Sequence, residues 1–191
     1  MAGVNRAKPT PIFESYSVNK SASRRSDKPC VFLSHISIDK KSAVEIGDYI
    51  MKYADIDIYL DIYDEQLQQA AGAQDAKKIT EFIESGIANS THTMCLVSQN
   101  TVNSWWVPFE LGYAKKSGKE LSSLKLKGDV PLPEYLAIGS IIRGTKSLNA
   151  YIEKIVSEWK LERPYGSNIE IGLESYNKSS HPLDDYLDWK E

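Results

Sequence analysis

The chain has 191 residues, of which 41% are hydrophobic and 26% charged, and its formal net charge is -3. This size and balance predict one soluble globular domain with tails, and the lack of excess positive charge disfavours binding to nucleic acids. The first residues lack a signal-peptide core, and no apolar run is long enough to span a membrane. The two cysteines lie in apolar runs, as buried thiols do, so we expect a reducing, cytoplasmic protein.

The first half of the chain predicts three strands separated by helices. Residues 1–28 are mostly polar and are expected to be a flexible lead-in. A continuous apolar run and a later alternating pattern each indicate a strand. Each of these two strands is followed by apolar residues at helical spacing. The strands are predicted at 30–33, 56–60 and 94–97, the helices over 43–51 and 79–87, and a loop over 61–73.

The third predicted strand is followed by a helix with clear boundary signals. Asn103 or Ser104 can cap it, and it runs to about Lys116. Pro108 fits only in the first turn, so the helix has to begin directly after the cap. Gly118 is placed to end it.

The remaining pattern completes an α/β fold. Further strands are predicted at 121–127 and around 141–142, and a last helix over 148–159. Five alternations of strand and helix predict a flavodoxin-like, five-stranded parallel sheet of order 2-1-3-4-5, with helices on both faces. We therefore divide the chain into a flexible N-terminal segment (1–28), one domain (29–160) and a C-terminal tail (161–191).

This strand order predicts where a ligand binds. Parallel sheets bind ligands beyond the carboxyl ends of their strands, where the order of connection reverses. Here that point lies between strands one and three. The side chains expected there are Ser34, His35, Ile36, Ser98, Gln99 and Asn100.

A carboxylate and an indole lie above this predicted pocket. Trp106 and Glu110 are four residues apart, so they share a face of the helix that follows strand three. A fixed negative charge beside an apolar wall suits cleavage of a glycosidic bond through a cationic transition state. NAD fits such a site because nicotinamide leaves as a neutral molecule and needs no general acid, unlike ordinary glycosides.

Other polar residues near the pocket allow more than one role. His35 either contacts a ligand or stabilises its loop by a hydrogen bond. Asp61, Asp64 and Glu65 form an acidic cluster that is solvated by default, although Asp61 ends a strand near the site. Ser34 and Ser98 are candidate hydroxyl donors to ribose or phosphate. Three scattered histidines and no Cys/His cluster predict no metal site.

Several segments in order resemble the Toll/interleukin-1 receptor (TIR) family, especially the bacterial NAD-cleaving, Thoeris-like anti-phage members. Val31–His35 with Asp39–Lys40 resembles its opening box, and residues 59–61 lead into a segment similar to its BB loop. Residues 79–90 are similar to its second helix. Residues 104–110 resemble the segment with the catalytic glutamate, and 131–136 a later loop. The resemblance covers about residues 29–159.

The resemblance implies cleavage of NAD, used as a substrate and not as a cofactor, to nicotinamide and a linear or cyclic ADP-ribose-derived signal. That signal would act on a separate effector protein in bacterial immunity, and activity would involve self-association through TIR domains. Glu110 would be catalytic. The residues expected to bind substrate are Ser34, His35, Asp61, Ser98 and Trp106. Those expected in the BB loop and in assembly are Ile62, Tyr63, Asp64 and Glu65.

Two departures and three alternatives accompany this interpretation. The loop lacks the Arg-Asp-x-x-Pro-Gly pattern of receptor TIR domains, and Cys30 stands where many members have Asp. One alternative is a catalytically silent TIR module that acts by protein–protein contacts. The others are a phosphorylated receiver domain and a nucleoside deoxyribosyltransferase. A receiver needs acidic residues where Ser34 and Ser98 stand, and the transferase would release bases from deoxynucleosides and not from NAD.

Overall fold

A parallel sheet forms the centre of the protein in a computed structural model that describes residues 2–8, 28–162, 172–174 and 181–188. The sheet has five strands in the order β2-β1-β3-β4-β5, which confirms the predicted α/β fold and strand order. The strands are β1 (Cys30–Ser34), β2 (Asp57–Tyr59), β3 (His92–Val97), β4 (Glu120–Lys125) and β5 (Ser140–Ile142).

Helices cover both faces of the sheet. They are α1 (Lys40–Ala54), α2 (Glu65–Gly72), α3 (Ala76–Ala88), α4 (Trp106–Lys116) and α5 (Thr145–Glu162). One face, with Leu33 and Met94, packs against α1 and α5. On the other face Phe32 packs with α2, α3 and α4, and Cys95 packs with α4. Alternate residues of each strand thus enter opposite halves of the core.

Because side chains alternate between the two faces of the sheet, the last residue of β1 lies on the face that α4 covers. Cys30 and Phe32 lie in the core on that side, and Ser34 is the next residue in this series. Ser34 is paired in register with Cys95 of β3, which contacts α4 residues in the core. The last residue of β1 is therefore directed at the helix that carries Glu110.

The prediction of a loop over residues 61–73 is wrong for most of that range. A single 3₁₀ turn, Asp61–Tyr63, is followed by α2. The side chain of Asp64 accepts hydrogen bonds from the backbone N–H groups of Gln66 and Leu67 and so caps this helix. Only Leu67 and Ala70 of α2 are buried, and two apolar positions in eight residues are too few to produce a helical pattern in the sequence.

Two short segments outside the predicted domain boundaries lie against it. Residues 2–8 run along the free edge of β2, where Asn5 forms a parallel bridge with Ile58, a contact that the expected flexible segment does not anticipate. Leu183 and Leu187 are buried in the core beside α1 and α5. Residues 9–27 and most of the predicted tail lie outside the described residues, so the boundaries stay a prediction.

None of the described helices is both long and apolar enough to cross a membrane.

Candidate active site

The helix that carries Glu110 begins and ends as its sequence predicts. Ser104 Oγ accepts a hydrogen bond from the backbone N–H of Val107 at 3.2 Å, and Pro108 falls in the first turn of α4. Gly118, with φ of 69°, adopts the left-handed conformation two residues after the helix ends. These local signals fix where the helix begins and where it ends.

Glu110 lies on the buried face of α4. The residues of that face are Val107, Glu110, Leu111 and Ala114, which is the spacing of one side of a helix. Its exposed fraction is 4%, and its Oε2 has no hydrogen-bond partner in the described structure. A buried carboxyl without its full set of partners is costly in free energy. Such a group is therefore a strong candidate for a functional residue.

Burial also changes how Glu110 titrates. Removal from water raises the pKa of Glu110 from its ordinary 4.5 to about 8. The nearby Ser34 hydroxyl opposes this shift, and the carboxylate of Asp61 adds to it by repulsion. Glu110 can thus exchange a proton near neutral pH, in the range where acid–base and electrostatic catalysts operate.

Ser34 completes the centre of the site. It is 1% exposed, and its Oγ has no hydrogen-bond partner of normal geometry among the described residues. It nevertheless lies close enough to lower the pKa of both Glu110 and Cys95. The structure therefore brings together a hydroxyl and a carboxyl that each retain hydrogen-bonding capacity.

Asp61 and His35 form a second polar pair beside this centre. His35 Nδ1 lies 3.7 Å from Asp61 Oδ1 and 3.2 Å from the carbonyl oxygen of Leu33. Burial raises the pKa of Asp61, and the charge of His35 opposes that rise. His35 thus has the loop-stabilising contact foreseen as one of its two roles, while contact with a ligand stays a prediction.

Trp106 is half-exposed, in contrast to Glu110 on the same helix. Its exposed fraction is 40%, and its ring meets Phe109 edge-on with centroids 6.0 Å apart. The preceding Trp105 is 93% exposed. The two tryptophans therefore present exposed apolar surface at the start of α4, and a wall formed by Trp106 next to the carboxyl stays a prediction.

Ser98 is engaged in the turn after β3. Its backbone N–H donates to Thr101 Oγ1 at 2.9 Å, and its Oγ accepts from the backbone N–H of Asn100 at 3.1 Å. The observed contacts of Ser98 are those of a turn residue, and substrate binding by its hydroxyl stays a prediction.

The residues expected in the BB loop have several structural roles. Asp64 caps α2 and also accepts a hydrogen bond from the hydroxyl of Tyr59. Ile62 and Tyr63 are partly buried and pack on the core, whereas Glu65 is exposed. Only Glu65 of this group is freely available at the surface of the described protein.

Three residues near the site were not among the predicted site residues, namely Asp39, Cys95 and Tyr135. Asp39 has a buried Oδ2 without a hydrogen-bond partner among the described residues, and its charge raises the pKa of Cys95. Burial is the main reason why the pKa of Cys95 reaches about 12, and the charge of Glu110 also raises it. Burial raises the pKa of the third residue, Tyr135, and the nearby Cys95 thiol adds to that rise. Asp39 follows β1 closely in the sequence, but no sequence signal places Tyr135 here.

No group of three or more His, Cys, Asp or Glu side chains in the described residues is arranged to hold a metal ion. The polar side chains that the described site brings together are Glu110, Ser34, Asp61 and His35.

A parallel sheet of order 2-1-3-4-5, with a buried carboxyl on the helix after β3, is the arrangement expected of a TIR-like domain. The family described as "Thoeris protein ThsB, TIR-like domain" matches residues 32–130. The chain belongs to this family, and so to the TIR-like proteins of Thoeris anti-phage defence. A search of curated proteins finds no match.

The matched region includes every predicted site residue. It runs from Phe32 in β1 to Val130 in the loop after β4. It leaves out the N-terminal residues 2–8 and the last helix, α5, although both lie against the matched part.

Proposed function

We propose that this domain cleaves the nicotinamide–ribose bond of NAD, with Glu110 as the catalytic carboxylate. The observation that carries the proposal is the burial of Glu110, with an unpartnered oxygen, at the carboxyl ends of β1 and β3. A structural role does not account for this burial, because an apolar residue at the same position would avoid the cost. Membership of a TIR-like family agrees with the proposal.

The proposed reaction needs little from the protein beyond this carboxylate. The bond between ribose C1′ and the ring nitrogen of nicotinamide breaks, and its electron pair stays with the nitrogen, so that nicotinamide leaves neutral. Positive charge develops on the ribose ring, and the Glu110 carboxylate stabilises it. Water then attacks C1′ and loses a proton to give ADP-ribose, or a hydroxyl or ring nitrogen within the same molecule attacks C1′ and its group releases a proton to give a cyclic product.

The low polarity around Glu110 makes its charge effective. Coulombic stabilisation is stronger where water is excluded, and one preorganised group in such a setting contributes about 3 kcal/mol or more to lowering the barrier. The buried carboxyl becomes accessible to NAD only when covering side chains move. Trp106, half-exposed on the same helix, and the turn at Asp61–Tyr63 are the candidates for that movement.

The other predicted roles follow from the same placement. Ser34 is available to donate a hydrogen bond to a ribose oxygen, since its hydroxyl has no partner of normal geometry in the described protein. Asp61 and His35 would line the pocket beside the ribose. Ser98 and Trp106 would contact the rest of the dinucleotide. The product would act as a nucleotide signal on a separate effector protein, and self-association of the domain would complete the site.

The direct test is release of nicotinamide from NAD by the purified protein, measured by chromatography, with mass spectrometry of the product. Glu110→Gln should abolish release while the protein stays folded. Glu153→Gln changes an exposed carboxylate on α5 in the same way and should retain full activity. Near-normal turnover by Glu110→Gln would contradict the assignment.

The pH dependence of turnover gives a second test. The reaction needs the ionised form of Glu110, and the ionised fraction rises as pH passes the pKa, which burial raises to about 8. We therefore expect kcat/KM for NAD to increase with pH and level off above about pH 8, because this parameter reports on the free enzyme.

The second candidate function is an assembly module without catalytic activity. The observation that favours it is the exposed apolar surface at the start of α4, where Trp105 is 93% exposed and Val102 51%. Exposed aromatic side chains of this kind mark interaction surfaces. Concentration-dependent association without any release of nicotinamide would favour this function over the first.

A further inference from the structure

Residues 2–8, here called the N-terminal strap, lie in a fixed register along the free edge of β2. The backbone N–H of Ile58 donates to the carbonyl oxygen of Val4 at 3.0 Å, and that of Arg6 donates to the carbonyl oxygen of Ile58 at 2.8 Å. At Gly3 an added Cβ would come within 1.9 Å of the carbonyl oxygen of Ile56. Only glycine allows so close an approach, so the strap cannot slide along the strand.

A partly buried ion pair anchors the strap beside β2. Arg6 Nε lies 2.9 Å from Asp57 Oδ2, and the exposed fractions of the two side chains are 17% and 2%. The other carboxylate oxygen, Oδ1, accepts the backbone N–H of Val4 at 3.0 Å. The pair therefore holds the strap where β2 begins and leaves the end of β2 to other contacts.

Asn5 provides the contact at the end of β2. Its side chain is buried, and its Oδ1 accepts hydrogen bonds from the backbone N–H groups of Leu60 at 3.2 Å and Ala7 at 3.0 Å. Leu60 is the residue immediately before Asp61. At the far end of the turn, the ammonium group of Lys8 lies 4.4 Å from the ring centroid of Tyr63. The strap thus holds the turn Asp61–Tyr63 at both ends.

We propose that Asn5 is a positioning residue for the candidate active site: by binding the backbone of Leu60 it holds Asp61 beside His35 and Glu110. The catalytic meaning of this role rests on the proposed function. The positioning itself rests on the hydrogen bonds of Asn5 and on the 3.7 Å approach of Asp61 to His35. The strap lies outside the family match at residues 32–130.

The consequence for Glu110 has a defined direction. Without the Asn5 side chain, the buried N–H of Leu60 loses its acceptor and the turn relaxes toward water. The Asp61 carboxylate then moves away from Glu110. Since Asp61 helps to raise the pKa of Glu110, Glu110 in such a variant should lose its proton at lower pH.

The experiment follows the carboxyl carbon of Glu110 by ¹³C NMR during a pH titration of the full chain. We expect Asn5→Ala to lower the titration midpoint, in the same direction as Asp61→Asn. In the double variant Asn5→Ala should add nothing to the shift that Asp61→Asn causes. A wild-type midpoint in Asn5→Ala, or a full additional shift in the double variant, would overturn the proposal.

Lys28→Met is the matched control, because it removes the Lys28–Asp55 ion pair of 2.7 Å before β2 begins and leaves Leu60 untouched. It should titrate as wild type, and an equal shift there would mean that general loosening of β2 explains the effect. Hydrogen exchange adds a local readout. Asn5→Ala should speed exchange at the Leu60 amide but not at Ile58, whose acceptor is the backbone of Val4.

If Asn5→Ala does not fold, Asn5→Ser replaces it, because its shorter hydroxyl cannot reach both amides. The shift should have the same sign, and an unchanged titration would count against the proposal in the same way. Neither readout needs turnover of NAD. Absence of nicotinamide release by the wild-type protein would therefore refute the proposed function and leave the positioning test intact.

Discussion

Replacing Glu110 by Gln should stabilise the protein, and by an amount that depends on pH. In the unfolded chain Glu110 loses its proton above about pH 4.5, whereas burial in the folded protein delays this loss until about pH 8. The folded state therefore binds more protons between these values. The stability that the protonated carboxyl contributes is lost as pH rises through this window.

The size of the effect follows from the raised pKa. Each unit of difference between folded and unfolded pKa corresponds to about 1.4 kcal/mol, so the ionised Glu110 costs about 5 kcal/mol once pH exceeds 8. Gln does not titrate. The difference in free energy of unfolding between Glu110→Gln and wild type should therefore grow in favour of the variant by about 2–3 kcal/mol from pH 5 to pH 7, and by about 4 kcal/mol from pH 5 to pH 9.

Urea unfolding of both proteins at pH 5, 7 and 9 measures this difference. The exposed control Glu153→Gln should follow wild type within about 0.5 kcal/mol at each pH. Parallel pH profiles for Glu110→Gln and wild type would refute the reasoning, since Glu110 would then titrate alike in the folded and unfolded states. A more stable but inactive variant is the outcome expected where a catalytic group is held at a cost in stability.

Three further predictions follow from local packing. Gly86→Ala would place a methyl group 2.6 Å from a tyrosine ring and should lower the free energy of unfolding by about 1–3 kcal/mol. Gly112→Ala lies in open space on α4 and should raise the free energy of unfolding by about 0.5–1 kcal/mol. Urea unfolding measures both. Trp105→Ala should leave the urea midpoint unchanged and weaken self-association in sedimentation velocity, because the ring is exposed. Cys30 and Cys95 should react with Ellman's reagent only after unfolding, since burial raises the pKa of these thiols to about 11 and 12.

The success of the fold prediction has a local cause. Continuous apolar runs such as Cys30–Leu33 and Met94–Val97 are typical of strands buried on both faces, and the intervening helices keep their period. The start of α4 was predictable because capping by Ser104 and the position of Pro108 act within one turn. Once the strand order is known, chain connectivity places Ser34 and the helix of Glu110 at the same edge of the sheet.

The failures come from contacts between residues distant in sequence. Helix α2 was missed because tertiary packing of Leu67 and Ala70 selects it more than any periodic pattern does. The contact of Asn5 with Leu60 joins residues 55 positions apart, and no local signal reports it. The half-exposed state of Trp106 was likewise not evident from the sequence, while its contact with substrate stays a prediction.

By itself, the amino-acid sequence determined the succession of strands and helices along the chain and which helix face presents Glu110, because both depend on periodicity and capping among near neighbours. Only the tertiary structure decided the state of that carboxyl: 4% exposed, with its pKa raised to about 8. The physical reason is that desolvation and the repulsion from Asp61 are produced by β1, β3 and the turn after β2 acting together, and their distances exist only in the folded chain.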